Sequence, residues 1–309
     1  MRDPEIRDWA WLKEISAPGV VVWASASVRE RVADELPLSR IASFDEIPAG
    51  AGTLIVVGGG TLMDEAKHFR ATQRPELRLI LAPSIWGSGA EYSPIAVLNR
   101  DGAKRIAVGR EFLPDAVVYW PVLLSTVSPA QARRACGDTW AHALEAFFSP
   151  LASDAVRGEL ACLIQEMPAL PLASDASWFR VSARVSALQA QASVGLDHGI
   201  AHVLEFACRS RRAEEDWGHA RLCSAFLLPV MNLNRAASDK WATLVRQHRI
   251  DETAIWNVLR ELFEPDSCAA ALPLLRENWT KILRDPCTRT NGALIRASHL
   301  AEMERQVAA

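Results

Sequence analysis

The sequence predicts an α/β domain built on a mostly parallel, doubly wound sheet, followed by an all-helical domain. Three observations predict it. Short β-branched runs alternate with helical patterns over residues 1–126, the order expected of strands linked by crossover helices. From Ser128 onward the pattern is helical, punctuated at Pro150, Pro168, Pro171, Pro229, Pro265 and Pro286. A glycine triplet, Gly58-Gly59-Gly60, joins a strand to a helix start, a turn whose backbone N–H groups suit an anion. The expected domains are therefore residues 1–126 and 127–309.

Taken in order, Gly19–Ala24 reads as a buried strand and Ser27–Glu35 as a polar helix. Arg40–Phe44 is a second strand, and Thr53–Val57 a third that runs into the glycine triplet. A helix follows from Leu62 to about Ala71, then strands over Leu77–Ala82, Tyr92–Leu98, Arg105–Val108 and Ala116–Tyr119. Ser128 is placed to cap a long helix with Pro129 in its first position, where a missing N–H costs nothing. That helix runs to the Ser149-Pro150 break.

The 309 residues are half apolar and 23% charged, an ordinary globular composition. A net charge of −3 offers no basic footprint for nucleic acid and no polybasic patch for a membrane. No apolar run approaches the roughly 20 residues that span a bilayer. The start lacks the pattern of a secretory signal. The six cysteines are scattered without a Cys-x-x-Cys pair, which argues for free thiols in a reducing cytoplasm.

Two helical pairs carry the chemistry. Asp138 and His142 are four apart, as are His198 and His202, and each pair projects from one helix face. Such a pair either presents a carboxylate and an imidazole to one divalent cation, or is a capping Asp and a packed His. His219 adds a third position, and four of the seven histidines fall in these segments. His68, His248 and His299 lie in polar helical stretches and read as surface residues. A small, hydroxyl-bearing loop, Pro83–Glu91, follows the fourth strand, at the end where α/β sheets bind cofactors.

Gly58–Lys67, Pro83–Glu91, Asp138–His142 and His198–His202 resemble, in that order, the signatures of the iron-containing (group III) alcohol dehydrogenases, which share the dehydroquinate synthase-like fold. The resemblance runs over nearly the whole chain and takes in Lys104, Leu113-Pro114-Asp115, His219 and Asp285-Pro286. It implies a shortened, divergent member with a Rossmann-like first domain. It implies metal ligation by Asp138, His142, His198 and His219, and proton relay by His202. Gly58, Gly59, Gly60, Thr61 and Asp64 match the pyrophosphate loop, and Ser84, Gly87, Ser88 and Lys104 match the ribose and nicotinamide half. The implied cofactors are a divalent metal, iron(II) or zinc, and NAD(H) or NADP(H). A homodimer is usual among relatives, by analogy alone.

Three stretches depart from that pattern. Residues 44–52 lead almost directly to the third strand, so a piece on the adenine side is missing; Asp45 there is either a ribose ligand or a turn residue. Trp86 replaces a small residue in the cofactor loop, and either stacks on a ring or fills the nicotinamide's space. The segment after His202 carries Arg209, Arg211 and Arg212, either a solvated run or a cation source for an anionic substrate. The expected function is a metal-dependent, NAD(P)-linked alcohol dehydrogenase or aldehyde reductase for a small substrate. Two alternatives stay open: a non-redox metal enzyme of lyase or isomerase type, and a non-catalytic homologue.

Overall fold

The computed structural model describes residues 3–36, 38–101, 103–211 and 215–308. Contacts divide the chain into two compact units, one of residues 1–129 with 174–187 and the other of 130–173 with 188–309. The residues 174–187 fall mostly in one helix of the C-terminal half of the sequence.

Among the described residues the first unit holds eight strands: β1 Glu5–Asp8, β2 Val20–Ala24, β3 Ser39–Arg40, β4 Thr53–Gly58, β5 Arg78–Pro83, β6 Ile95–Arg100, β7 Ala103–Val108 and β8 Ala116–Tyr119. Six form one sheet in the order β1-β8-β5-β4-β2-β3, and every adjacent pair is parallel. Alternation along each strand sorts the apolar residues into two cores. Val20, Val22, Ile55, Val57, Ile80 and Ala82 enter one, and Val21, Leu54, Val56, Leu79 and Leu81 enter the other. Strands β6 and β7 stand apart as an antiparallel hairpin.

Three differences from the expected strands have local causes. β1 was not anticipated, because Glu5-Ile6-Arg7-Asp8 is exposed at every position and carries no burial pattern. The Arg40–Phe44 strand shrinks to two residues before a 3₁₀ turn, Phe44–Glu46. Phe44 turns inward there, edge-on to Trp23 at 4.4 Å and stacked on Phe69 at 4.3 Å. The Tyr92–Leu98 strand begins only at Ile95, since the Tyr92 and Ser93 N–H groups close a turn onto the Gly89 carbonyl.

The helices are α1 Ala10–Glu14, α2 Arg29–Glu35, α3 Gly60–Gln73, α4 Pro129–Phe148, α5 Asp154–Glu166 and α6 Ser177–Gln189. They continue as α7 Leu196–Arg211, α8 His219–Ala237, α9 Lys240–Gln247, α10 Glu252–Leu262, α11 Pro265–Arg284 and α12 Leu300–Ala308. In the second unit α7 packs on α8 and α11, and α12 closes over α8 and α11. Pro229, expected as punctuation, instead lies inside α8. An interior proline costs about 3 kcal/mol, which burial of Leu227, Val230 and Met231 around it offsets. Pro265 opens α11 at its first position. Among the described residues no helix is long and apolar enough to cross a membrane.

Candidate functional site

The glycine turn stands where the sheet's connection order reverses. From β2 the chain leaves to β3 on one side and returns to β4 on the other. The carboxyl ends of two such strands frame the crevice in which doubly wound sheets bind nucleotides. Gly58 ends β4, and Ser25, just beyond β2, donates its N–H to Val57 O at 2.9 Å. Gly59 has extended backbone and no side chain caps α3, so the first-turn N–H groups face outward from a helix dipole's positive end. Gly60 lies against the Pro83–Glu91 loop: a Cβ there would sit 2.5 Å from Ser88 Oγ.

Other residues matched to the nucleotide half have work inside the first unit. Ser84 is buried and its N–H bonds Gly58 O at 2.9 Å. Gly87 donates its N–H to Ser182 Oγ on α6 at 3.0 Å. Thr61 is exposed in the first turn of α3. Asp64 is buried: Oδ1 pairs with Lys67 Nζ at 2.7 Å and Oδ2 accepts the Val97 N–H at 3.1 Å. Burial pushes its carboxyl up against the pull of Lys67, with the Lys104 charge also nearby. Asp64 therefore ties α3 to the β6–β7 hairpin. Asp45 is exposed on its turn, where Glu46 takes the Ala42 N–H. Trp86 is 2% exposed and lies edge-on to Phe179 at 5.8 Å.

The second unit brings the four expected metal ligands together. Asp138 and His142 project from one face of α4, with His142 Nδ1 3.4 Å from Asp138 Oδ1. His198 enters from the first turn of α7 and His219 from the first residue of α8. Asp138 Oδ1 lies 3.8 Å from His198 Nε2 and 3.9 Å from His219 Nε2. The Nε2 atoms of His142 and His198 are 3.0 Å apart.

Glu145 on α4 explains how α7 is held there. It accepts the N–H groups of Gly195 at 2.8 Å and Asp197 at 2.6 Å, and Nδ1 of His198 at 2.7 Å. A carboxylate from another helix thus satisfies N–H groups at the start of α7, where the dipole favours a negative charge. Asn291 Oδ1 takes the Leu196 N–H at 3.1 Å. Gly137 lets α4 and α8 meet: a Cβ there would fall 2.9 Å from Ser224 Cα.

These hydrogen bonds test whether a cation fits. His142 Nδ1 faces the Asp138 carbonyl at 2.9 Å, which can only accept, so this nitrogen carries the hydrogen. His198 Nδ1 faces the Glu145 carboxylate in the same way. In the neutral rings both Nε2 lone pairs then point at one another, and Asp138 Oδ1 is buried without a hydrogen-bond partner. Converging acceptors need positive charge between them. Burial and the neighbouring His142 push the His198 imidazolium well down. Three carboxylates are buried here; burial pushes Glu145 up to about 7, and burial with the Glu145 and Asp138 charges pushes Asp197 well up. A divalent cation meets both demands, and Glu145 beside His198 is the carboxylate that commonly orients a metal-bound imidazole.

His202, one turn beyond His198, stands beside this centre. Its ring stacks on His219 at 5.5 Å, and its Nδ1 is 3.6 Å from Asp285 Oδ2 and 3.7 Å from Cys287 Sγ. Burial raises the Asp285 carboxyl, but the His202 and Cys287 donors outweigh it and hold it below its ordinary value.

Glu145, Asp197 and Cys223 are the residues that sequence reasoning missed. A signal existed for two: Glu145 follows Asp138 and His142 at i+7 and i+3, and Cys223 follows His219 at i+4. The arginine run is engaged elsewhere. Arg209 pairs with Glu205 at 2.9 Å, and Arg211 forms a two-pronged pair with Glu277 at 3.1 and 2.7 Å; Arg212 lies outside the described residues. His68, His248 and His299 are half-buried rather than on the surface, because His68 faces Phe112, His248 sits edge-on to Phe147 and His299 Nδ1 accepts the Arg296 N–H. Among the described residues no cysteine forms a disulfide, and five of the six are buried.

Comparison with known proteins bears on the family and the fold. The family described as "Iron-containing alcohol dehydrogenase" matches residues 30–121. Maleylacetate reductase 2 of Cupriavidus pinatubonensis is 30% identical over 173 residues, which is 50% of this chain and 45% of that protein. The matched stretch thus spans about half the length of this curated relative. The iron-containing alcohol dehydrogenase of Thermococcus thioreducens superposes with a TM-score of 0.72 at 20% identity, over 98% of this chain and 96% of its own. Sulfoacetaldehyde reductase from Bifidobacterium kashiwanohense, solved in complex with NAD+, superposes with a TM-score of 0.70 at 15% identity, over 100% and 98%. The chain is similar to the iron-containing alcohol dehydrogenases, by sequence through residues 30–121 and by fold across its length.

Proposed function

We propose that this chain is a metal-dependent, NAD(P)-linked oxidoreductase that interconverts a small aldehyde and its alcohol. The observation that carries the reading is the convergence of carboxylate and imidazole acceptors from α4, α7 and α8 on one buried centre. Asp138, His142, His198 and His219 would hold the ion. Iron(II) or zinc bound by them would supply Lewis acidity toward a carbonyl oxygen, and a nicotinamide cofactor with its pyrophosphate on the Gly58–Gly60 turn would supply the hydride.

The chain's own residues supply orientation and proton handling. Glu145 fixes the His198 tautomer through Nδ1, and the Asp138 carbonyl fixes that of His142. His202 would pass a proton to the product oxygen, with Asp285 beside its Nδ1 to orient the ring. Burial of Asp138 and His198 limits water at the centre, which strengthens the charge interactions there. Arg209 and Arg211, paired with Glu205 and Glu277, give no support to an anionic substrate.

Trp86, buried in the cofactor loop, favours one second reading: the same metal centre without a nicotinamide. One experiment separates the two. Purified protein loaded with iron(II) or zinc is titrated with NADH, following energy transfer from its tryptophans, and then given a panel of small aldehydes. Binding followed by aldehyde-dependent NADH oxidation supports the oxidoreductase. Retained metal without NADH binding refutes it in favour of the second reading.

A further inference from the structure

We propose that Cys223 is a sulfur ligand of the metal centre, forming with Asp138, His198 and His219 a mixed nitrogen, oxygen and sulfur cage. This rests on the metal reading above and deepens it by naming a donor and a preferred ion.

Geometry carries the argument. One ligand atom from each of Asp138, His198, His219 and Cys223 lies within 4.8 Å of every other. Cys223 Sγ is 3.5 Å from His219 Nε2. Zinc bonds of about 2.3 Å to sulfur and 2.0 Å to nitrogen in a tetrahedron place those two donors roughly 3.5 Å apart. Cys223 follows His219 by four residues on α8, so the one helix brings both atoms inward on a single face.

The surroundings of the thiol point the same way. A structural buried cysteine packs as a small hydrophobe. Cys268 is of that kind, donating its weak S–H to the Ala225 carbonyl at 3.2 Å. Cys223 is also fully buried, but its sulfur faces the His219 imidazole and the Asp138 and Asp197 carboxylates. A sulfur within reach of two buried carboxylates and an imidazole, rather than of a lone carbonyl, is in a ligand's environment.

His142, whose Nε2 lies 3.0 Å from that of His198, then becomes a fifth donor. Coordination replaces the thiol proton with the metal, the proton leaves to the buffer, and no electron is transferred. A thiolate makes the site softer, which favours zinc over iron(II).

The test uses full-length protein stripped by a chelator and reloaded with cobalt(II). Sulfur ligation gives an intense near-ultraviolet thiolate-to-cobalt charge-transfer band beside the visible absorption of the ion. The band should vanish in Cys223→Ser and persist in Cys268→Ser and Cys287→Ser, the last excluding the cysteine near His202. Zinc affinity of Cys223→Ser should fall by more than the roughly 10- to 100-fold that loss of an outer partner brings. Bound cobalt without the band in the unaltered protein, or a band that survives Cys223→Ser, overturns the assignment and leaves the metal reading standing. Failure to bind cobalt or zinc at all overturns both. Should Cys223→Ser misfold, which circular dichroism would reveal, persistence of the band in Cys287→Ser and Cys268→Ser supports the assignment and its loss in Cys287→Ser overturns it.

Discussion

Replacing Glu145 by glutamine asks how far one side chain behind the proposed metal centre governs it. Glutamine keeps the volume but offers one acceptor oxygen where the carboxylate has two. With that oxygen kept against His198 Nδ1 and the Gly195 N–H, the amide NH₂ must face the Asp197 N–H, where Oε1 now accepts at 2.6 Å. Leaving that buried donor unmet costs about 1–3 kcal/mol of stability. The charge-assisted bond to His198 becomes a neutral one of roughly half the strength. Weakened support of this kind costs about 10- to 100-fold in metal affinity, or about 1.4–2.7 kcal/mol. Competition for zinc against a chromophoric chelator measures the loss of affinity, and urea unfolding in excess chelator the loss of stability. Both are run at pH 8, above the value of about 7 to which burial pushes Glu145. A folded Glu145→Gln protein with unchanged zinc affinity would refute the role given to this carboxylate.

Further outcomes follow from other sites. Burial pushes Glu91 up to about 7 from 4.5, so the folded chain holds its proton more tightly than the unfolded one; stability from this group is full below pH 4.5 and lost as pH rises through 7, by about 3 kcal/mol. Glu91→Gln should flatten that fall in urea unfolding between pH 5 and 8, and an unchanged slope would exclude Glu91 as its source. His202→Asn should lower turnover by about 10²–10⁴-fold with the metal content of the protein unaltered; a full rate would remove His202 from proton handling. Gly60→Ala forces its new methyl onto Ser88 Oγ and should weaken NADH about tenfold, or about 1.4 kcal/mol, without touching zinc affinity. Ser88→Gly added to it should restore binding, and failure to do so would locate the effect elsewhere.

The central strands were legible because their period-2 alternation feeds two cores. The polar edge strand β1 has no such alternation and was invisible. The Asp138–His142 and His198–His202 pairs stood out because polar groups repeat at helical spacing within apolar stretches. The expectation could not go further, since which of several inward groups share a centre depends on how three helices cross. Glu145 looked like any helical glutamate until its contacts with the start of α7 were known. Cys223 looked like any buried thiol, because its neighbours come from two other helices. Pro229 misled because burial outweighs a local helix breaker. The grouping of residues 174–187 with the first unit is a long-range matter, carried by contacts such as those of Ser182 and Ser186 with Gly87 and Gly89.

Gly137 stands immediately before Asp138, at the point where α4 touches the backbone of Ser224, itself next to Cys223. The width of the cage is therefore set by a hydrogen atom rather than by any coordinating group. Ligand identities can be exchanged on an unchanged frame, whereas a single methyl at residue 137 would wedge α8 outward and carry His219 and Cys223 away together. Inheritance of this centre should accordingly tolerate chemical variety among its donors far better than any thickening of the seam behind them.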